Sequence, residues 1–320
     1  MMFNVMYAPQ NYYCFAIDNK ASESFHSKMK TLGKCFENVI ISDVEFNVDQ
    51  PGHNMVRSLT YCLHLLLQRP KWKYAILLQN HDVPLKTNHE VVQILRILNG
   101  TNDVEMKFPH QNRIPPNYVW TYDALKIFRD LNLNKNQTFH IVEGSVQGSF
   151  SRSSVEYLLN DLDVTNFMNR LEAMPYGIDE LFFSSFNMND GIGKDFQLEQ
   201  CVITFFDTRK LLNFYQIIPI FFKTRYCNLV RHGICIFGVE DLWHLNASRF
   251  IIGNKFYPEL DFEAVSCWLQ WIFRLTHSAN SRSLDLNYYQ ELPHVRFNRD
   301  IKRYRHNLSD FNCTFKYSAT

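Results

Sequence analysis

The chain has 320 residues, 46% hydrophobic and 15% aromatic, a length and composition that suit a folded α/β domain and exclude a disordered chain. Its 33 Lys and Arg balance 32 Asp and Glu. That balance excludes a global basic field and argues against a nucleic-acid binder held by phosphate contacts, so any phosphate-binding charge must be local.

Asn11–Asp18 is an aromatic and aliphatic run that predicts a strand ending in a carboxylate. Lys20–Leu32 predicts an amphipathic helix, Val39–Ile41 a short strand, Met55–Gln68 a helix and Lys73–Leu78 a buried strand. A turn at Pro84 leads into a helix over Asn88–Leu98. This β-α-β-α-β-α order predicts a mostly parallel sheet flanked by helices. Asn99–Pro116 reads as a polar loop, Asn117–Asn132 as helix-like, Ile141–Phe150 as a strand containing Gly144 and Gly148, and Ser151–Asp161 as a Ser-capped helix.

Pro175–Phe186, PYGIDELFFSSF, puts Asp179-Glu180 after Gly177 and directly before Leu181-Phe182-Phe183. Carboxylates opening an apolar helix sit where the helix dipole favours negative charge. A plain helix cap is the other reading of the same pair. Farther along, Asp190–Lys194 reads as a turn, Gln197–Phe206 and Gly233–Phe237 as strands, and Ala264–Leu275 as a Trp-containing helix. From Thr276 the chain turns polar and irregular, with five Lys or Arg within Arg296–Arg305 that read as a solvated tail.

The eight cysteines (Cys14, Cys35, Cys62, Cys201, Cys227, Cys235, Cys267, Cys313) show no CxxC pair and no zinc-ligand spacing. Five N-glycosylation sequons, at Asn99, Asn136, Asn246, Asn307 and Asn312, favour the secretory route. No segment reads as a signal peptide or membrane span; the longest apolar stretch, Phe214–Phe222, is interrupted by Gln216 and Pro219. Asp161-Leu-Asp163 has the form of a metal-binding DxD, but falls at the end of a predicted helix and reads as accidental.

Together with WKYAILLQNHDVPLKTN (Trp72–Asn88), RHGICIFGVEDL (Arg231–Leu242) and GNKFYPELD (Gly253–Asp261), the PYGIDELFFSSF element resembles the core-2/I-branching β-1,6-N-acetylglucosaminyltransferase family, over about Tyr7–Cys267. The resemblance implies a GT-A-like, Rossmann-like single large domain, expected at residues 7–275, followed by a polar C-terminal tail at 276–320. It also implies that the family's first strand, stem and membrane anchor are missing before the match. The implied reaction is inverting, metal-independent transfer of N-acetylglucosamine from UDP-GlcNAc to a glycan hydroxyl on a glycoprotein, on the lumenal side of the Golgi membrane, with no cofactor. Protein xylosyl transfer and a catalytically silent glycan-binding remnant are the alternative expectations.

Residue by residue, the resemblance makes Glu180 the catalytic base, in an element where Ile178 stands for the family's Pro. It makes Lys255 a diphosphate ligand, with Arg231 or, second, His232 as its partner, and Asp18 a nucleoside contact at a strand end. Glu105 corresponds to an acceptor-binding glutamate, and Arg113 stands where a further acceptor contact is expected. Asp82, in His81-Asp82-Val83-Pro84, matches a family hallmark, with a donor-site role and a turn-capping carboxylate as equal readings. Two family disulfides correspond to Cys14–Cys62 and Cys227–Cys235, while the partners expected for Cys35 and Cys267 precede the match, leaving Cys313 as the alternative for Cys267.

Overall fold

Local capping chemistry sets the helices. Ser22 accepts the Phe25 N–H, Ser151 accepts the Ser154 N–H, and Thr87 forms a reciprocal capping box with Glu90. A computed structural model describes residues 2–109, 112–189, 192, 229–231, 234–278, 282–304 and 311–312. In chain order the first half carries α1 (Met2–Met6), β1 (Tyr13–Phe15), α2 (Glu23–Cys35), β2 (Val39–Ile41), α3 (Met55–Leu67), β3 (Tyr74–Leu77), β4 (Val83–Pro84), α4 (Asn88–Leu98) and β5 (Asp103–Val104). Then come α5 (Tyr122–Leu125), β6 (Gly148–Ser151), α6 (Arg152–Asn160), α7 (Thr165–Glu172), α8 (Asp179–Met188), β7 (Leu229–Arg231), β8 (Ile234–Ile236) and β9 (Ile252–Gly253). Helices over Leu242–Asn246, Phe262–His277, Leu286–Gln290, Pro293–Arg299 and Ile301–Tyr304 follow.

The α/β class is as expected. Parallel pairing joins β1 to β2, in the register Tyr13↔Val39 to Phe15↔Ile41. The other ladders among the described residues, β3–β6, β5–β6, β4–β9 and β7–β8, are antiparallel, which corrects the expectation of a mostly parallel sheet for these residues.

The described residues fall into two compact units. One lies within Pro9–Leu77 and Gly100–Tyr215, and holds β1–β2, the three-stranded sheet β3-β6-β5, and helices α2, α3 and α5 to α8. Its core is aromatic: Phe139, Phe167, Phe182 and Phe186 pack edge-on or stacked with ring centroids from 5.0 to 5.7 Å apart. The other unit lies within Met1–Ala8, Leu78–Asn99 and Gln216–Thr320. Its core groups Val83, Leu85, Phe237, Phe256, Trp268, Leu269 and Ile272, and the Trp268 indole donates to the Pro84 carbonyl at 2.8 Å.

Three element readings are corrected. Asn117–Asn132 is not one helix: α5 ends at Leu125 because Lys126 turns left-handed at φ 52°, and Asp130 caps a separate turn over Leu131–Leu133. The Ile141–Phe150 strand begins only at Gly148; upstream, Glu143 makes an isolated bridge to Lys107. The polar end of the chain is helical over Leu286–Tyr304, with Tyr289, His294 and Phe297 buried. There Arg282 forks onto the buried Glu90 carboxylate at 2.8 and 3.0 Å, which offsets the cost of removing both charges from water. The Gln197–Phe206 strand and most of the Asp190–Lys194 turn lie outside the described residues.

Candidate active site

Helix α8 is buried along its whole length from Leu181 to Met188, so only its first turn, Asp179 and Glu180, reaches solvent. Ile178 occupies the cap position without a side-chain bond, which places both carboxylates inside the first turn, where the helix dipole favours them. The plain cap reading therefore does not hold. The Glu180 carboxylate is 42% exposed and accepts from Arg113 Nη2 at 2.5 Å. The same Nη2 donates to the Gly177 carbonyl at 2.6 Å, and Arg113 Nη1 pairs with Glu143. Glu143 is only 2% exposed and also receives Lys107 Nζ at 2.9 Å. The result is a chain of alternating charge, Lys107, Glu143, Arg113, Glu180, that fixes the one carboxylate open to solvent.

Backbone geometry brings this chain together. Gly177 sits at φ +66°, and a Cβ there would lie 2.0 Å from Arg113 Nη2, so the turn before α8 requires glycine on both counts. Gly144 donates its N–H to the Glu180 carbonyl at 2.8 Å, and a Cβ on Gly144 would meet the Glu105 carbonyl oxygen at 1.9 Å. Glu105 is thus brought next to the Glu143-Gly144 turn that contacts Glu180. Lys107 lies within the electrostatic reach of Glu143, Glu105 and Glu180, and their negative charge raises its pKa against the opposing effect of burial.

Asp179 is a neighbour of different character. Burial, and second the Glu180 charge, pushes its carboxyl up to about 7. Gly52 packs against it, and Pro51 accepts the Gly177 N–H at 2.7 Å.

Asp18 follows β1 beyond the C-terminal end of the parallel pair, where it makes an isolated parallel bridge to Phe46. Its carboxylate accepts the Lys20 N–H at 2.9 Å and pairs with Lys20 Nζ at 3.4 Å. The Cys14–Cys62 disulfide is present, with Cα atoms 5.7 Å apart, and ties β1 to α3.

In the second unit, Lys255 lies in a loop held from two sides. Its N–H donates to the Cys235 carbonyl at 3.3 Å and its carbonyl accepts from Phe237 at 3.0 Å, so it runs alongside β8. On the other side of β8, β7 places Arg231 opposite Ile234. The two expected diphosphate ligands are thus carried on segments flanking one strand. Lys255 is half-buried, and its ammonium makes no ion pair among the described residues. The side chain of Arg231, and His232 and Cys227 altogether, lie outside the described residues, so the Cys227–Cys235 pairing does too; Cys235 is itself disulfide-bonded. Cys35 and Cys267 are free, exposed thiols.

The hallmark Asp82 acts through this loop. Fully buried, it accepts the Gln79 N–H at 2.5 Å and Asn254 Nδ2 at 2.7 Å. His81 stacks on Tyr257 at 3.9 Å and its carbonyl accepts the Phe256 N–H at 3.0 Å. The turn-capping reading of Asp82 holds, since it caps its own turn, and it also holds the residue before Lys255. Both DxD residues are engaged locally, Asp161 through its backbone and Asp163 through its carboxylate. Asp161 is the C-cap of α6, and Asp163 accepts the Thr165 N–H at 3.0 Å at the start of α7. Among the described residues no group of three or more His, Cys, Asp or Glu is placed to hold a metal ion. No helix among them is long and apolar enough to cross a membrane.

Sequence reasoning did not find Glu143 or Lys107, nor the contact of Arg113 with Glu180. The residues joined here lie 30 to 67 positions apart, and no periodicity or motif links them.

Taken together, these features define an α/β protein with a fixed, solvent-reaching carboxylate at a helix start in one unit and a braced lysine loop in the other. Residues 1–242 match the family described as core-2/I-branching enzyme, and the chain belongs to that family. It is similar to a β-1,3-galactosyl-O-glycosyl-glycoprotein β-1,6-N-acetylglucosaminyltransferase 4 of Danio rerio, 29% identical over 276 residues that cover 83% of this chain. It is also similar to a β-1,3-galactosyl-O-glycosyl-glycoprotein β-1,6-N-acetylglucosaminyltransferase of Bos taurus, at 26% over 283 residues and 83% of the chain. The corresponding enzyme 3 of Rattus norvegicus matches at 25% over 283 residues and 85% of the chain. The chain spans 64% of the length of each of these curated relatives.

Proposed function

We propose that this chain transfers N-acetylglucosamine from UDP-GlcNAc to a hydroxyl of a glycoprotein glycan, forming a β-1,6 branch with inversion at the anomeric carbon. The observation that carries the reading is Glu180, the half-exposed carboxylate that opens an otherwise buried helix and is fixed by Arg113. It supports the reading because it stands in a chain whose relatives are named as branching transferases. Those names support N-acetylglucosaminyl over xylosyl transfer.

In the proposed step, Glu180 takes the proton of the acceptor hydroxyl as its oxygen bonds to the anomeric carbon. The bond from that carbon to the diphosphate breaks, and the leaving group departs with negative charge. Lys255 and Arg231 are proposed to stabilise that charge, doing with fixed cations what a bound metal does in other transferases. Asp18 is proposed as a nucleoside contact and Glu105 as an acceptor contact. The proposed location is the lumenal side of the Golgi membrane, and the Cys14–Cys62 disulfide supports an oxidising compartment.

The test is transfer of labelled sugar from UDP-GlcNAc and, in parallel, UDP-xylose to a core-1 glycopeptide and to a serine peptide. Glu180→Gln keeps the carboxylate's shape, so it should leave the melting temperature near its original value and reduce turnover by ~10²- to 10⁴-fold. Near-normal turnover in that variant rules out Glu180 as the base. Xylose transfer to serine would install the xylosyltransferase reading, and glycan binding without transfer of either sugar would install the silent one.

A further inference from the structure

The five sequons are not equivalent once folded. A retained N-linked glycan needs an asparagine whose carboxamide reaches solvent and room for a bulky polar group, and a sequon lying wholly at the surface, hydroxyl included, offers both. Asn246 is exposed, but its carboxamide oxygen is already engaged, accepting from Trp271 Nε1 at 2.9 Å and Arg282 Nη1 at 3.1 Å. Its Ser248 is buried, with the hydroxyl accepting the Phe250 N–H at 3.1 Å. Arg282 is the residue that neutralises buried Glu90, so crowding this corner disturbs an ion pair inside the protein. At Asn99 the asparagine is exposed, but the hydroxyl oxygen of Thr101 is buried. The sequons at Asn307 and Asn312 extend into residues outside the described ones.

Asn136 is different. Asn136, Gln137 and Thr138 are all exposed and belong to no helix or multi-residue strand. The backbone on either side is anchored: the Lys135 carbonyl accepts the Asp123 N–H at 3.1 Å and the Gln137 carbonyl accepts the Tyr122 N–H at 3.0 Å. The loop is held by these main-chain bonds and by the Asn134 carboxamide, which bonds the Phe128 N–H and carbonyl at 2.9 and 2.8 Å, while the Asn136 carboxamide makes no hydrogen bond among the described residues. Immediately upstream, Leu131 and Leu133 are 69% and 51% exposed. A hydrophilic oligosaccharide attached beside them would cover apolar surface that this loop otherwise leaves to water.

We propose that Asn136 carries an N-linked glycan and that Asn246 does not. The inference rests on the secretory-route reading of the chain. It is tested on the protein tagged at its own gene, purified without reductant from the cells that make it, and mapped by peptide mass with and without peptide N-glycosidase. The expected result is an Asn136 peptide that appears only after enzymatic release, with Asn converted to Asp, alongside an unmodified Asn246 peptide. Asn136→Gln should remove one glycan's step in gel mobility, and Ser248→Ala should remove none. An unmodified Asn136 in protein whose Cys14–Cys62 bond has formed overturns the inference alone. An unmodified Asn136 with both cysteines reduced overturns the secretory-route reading and the inference with it. A glycan at Asn246 refutes the structural sorting of the sequons.

Discussion

At the scale of single residues, Asp179 and Lys255 separate stability from chemistry. Asp179 has its carboxyl raised from the usual aspartate range to about 7, first by burial and second by Glu180. The folded chain therefore holds that proton more tightly than the unfolded chain does. Stability from this group is full at low pH, falls as pH rises through the window from about 4 to 7, and stays low above it. Each pH unit in that window is worth at most about 1.4 kcal/mol. Asp179→Asn keeps a neutral side chain of the same shape at every pH. Melting curves should find the variant close to the parent near pH 4 and more stable than it at pH 8; equal stability at both would show that Asp179 is not held protonated. Lys255 is the opposite case. Its backbone, not its ammonium, joins the loop to β8, and a partly exposed lysine contributes little to folding. Lys255→Ala should lower transfer by about 10²-fold, the typical loss of one group that stabilises developing charge, with a nearly unchanged melting temperature. A large drop in melting temperature with normal turnover would reassign Lys255 to structure.

At the scale of elements, the disulfide makes the clearest demand. Cys14 and Cys62 are 48 residues apart and close a loop containing α2 and β2. Constraining a loop of that length in the unfolded chain contributes about 4 kcal/mol in the chain-entropy account. Replacing both cysteines by serine should lower the denaturation midpoint by a corresponding amount, and reductant should lower the parent's midpoint further than the variant's, in which the Cys235 disulfide remains to be reduced. The elements that the sequence foretold are those set by local chemistry. Val39–Ile41 and Asn88–Leu98 occur with the expected bounds because a β-branched run and a Thr-Glu capping box each act within a few residues. The Asn117–Asn132 reading failed because helical spacing of apolar residues does not register a left-handed Lys126 or an Asp130 that caps its own turn. The Ile141–Phe150 reading failed because Gly144 is used for close approach to Glu105, not for ladder pairing. The same limit applies to the site: Glu180 was legible from its helix-opening position, whereas its Arg113–Glu143 support depends on which segments meet in three dimensions.

At the scale of the whole molecule, the chain interleaves: segments near the start, middle and end of the sequence form one unit, and the intervening segments form the other. Family membership was legible because its motifs are short and contiguous, while this interleaving is carried by contacts such as Asp82 to Asn254, 172 residues apart. The proposed reaction must neutralise a departing diphosphate, and two sources of positive charge can be weighed for that purpose. One is a metal held by Asp161-Leu-Asp163; the other is the fixed cations Lys255 and Arg231. Asp163 is engaged as the acceptor for Thr165, whose side chain first and backbone N–H second hold its carboxyl below the usual range. Asp161 closes α6. Drawing these two carboxylates onto a cation would remove a helix-start bond from α7, whereas Lys255 is already braced on both sides without any ligand. Transfer from UDP-GlcNAc should therefore proceed at an unchanged initial rate in excess EDTA, and added manganese should not raise it. The informative pairing is with Lys255→Ala. If EDTA abolishes transfer by the parent and manganese restores it, the leaving group is neutralised by metal and the fixed-cation proposal fails. If EDTA leaves the parent untouched while manganese partly restores Lys255→Ala, the metal is replacing the very charge that the lysine supplies.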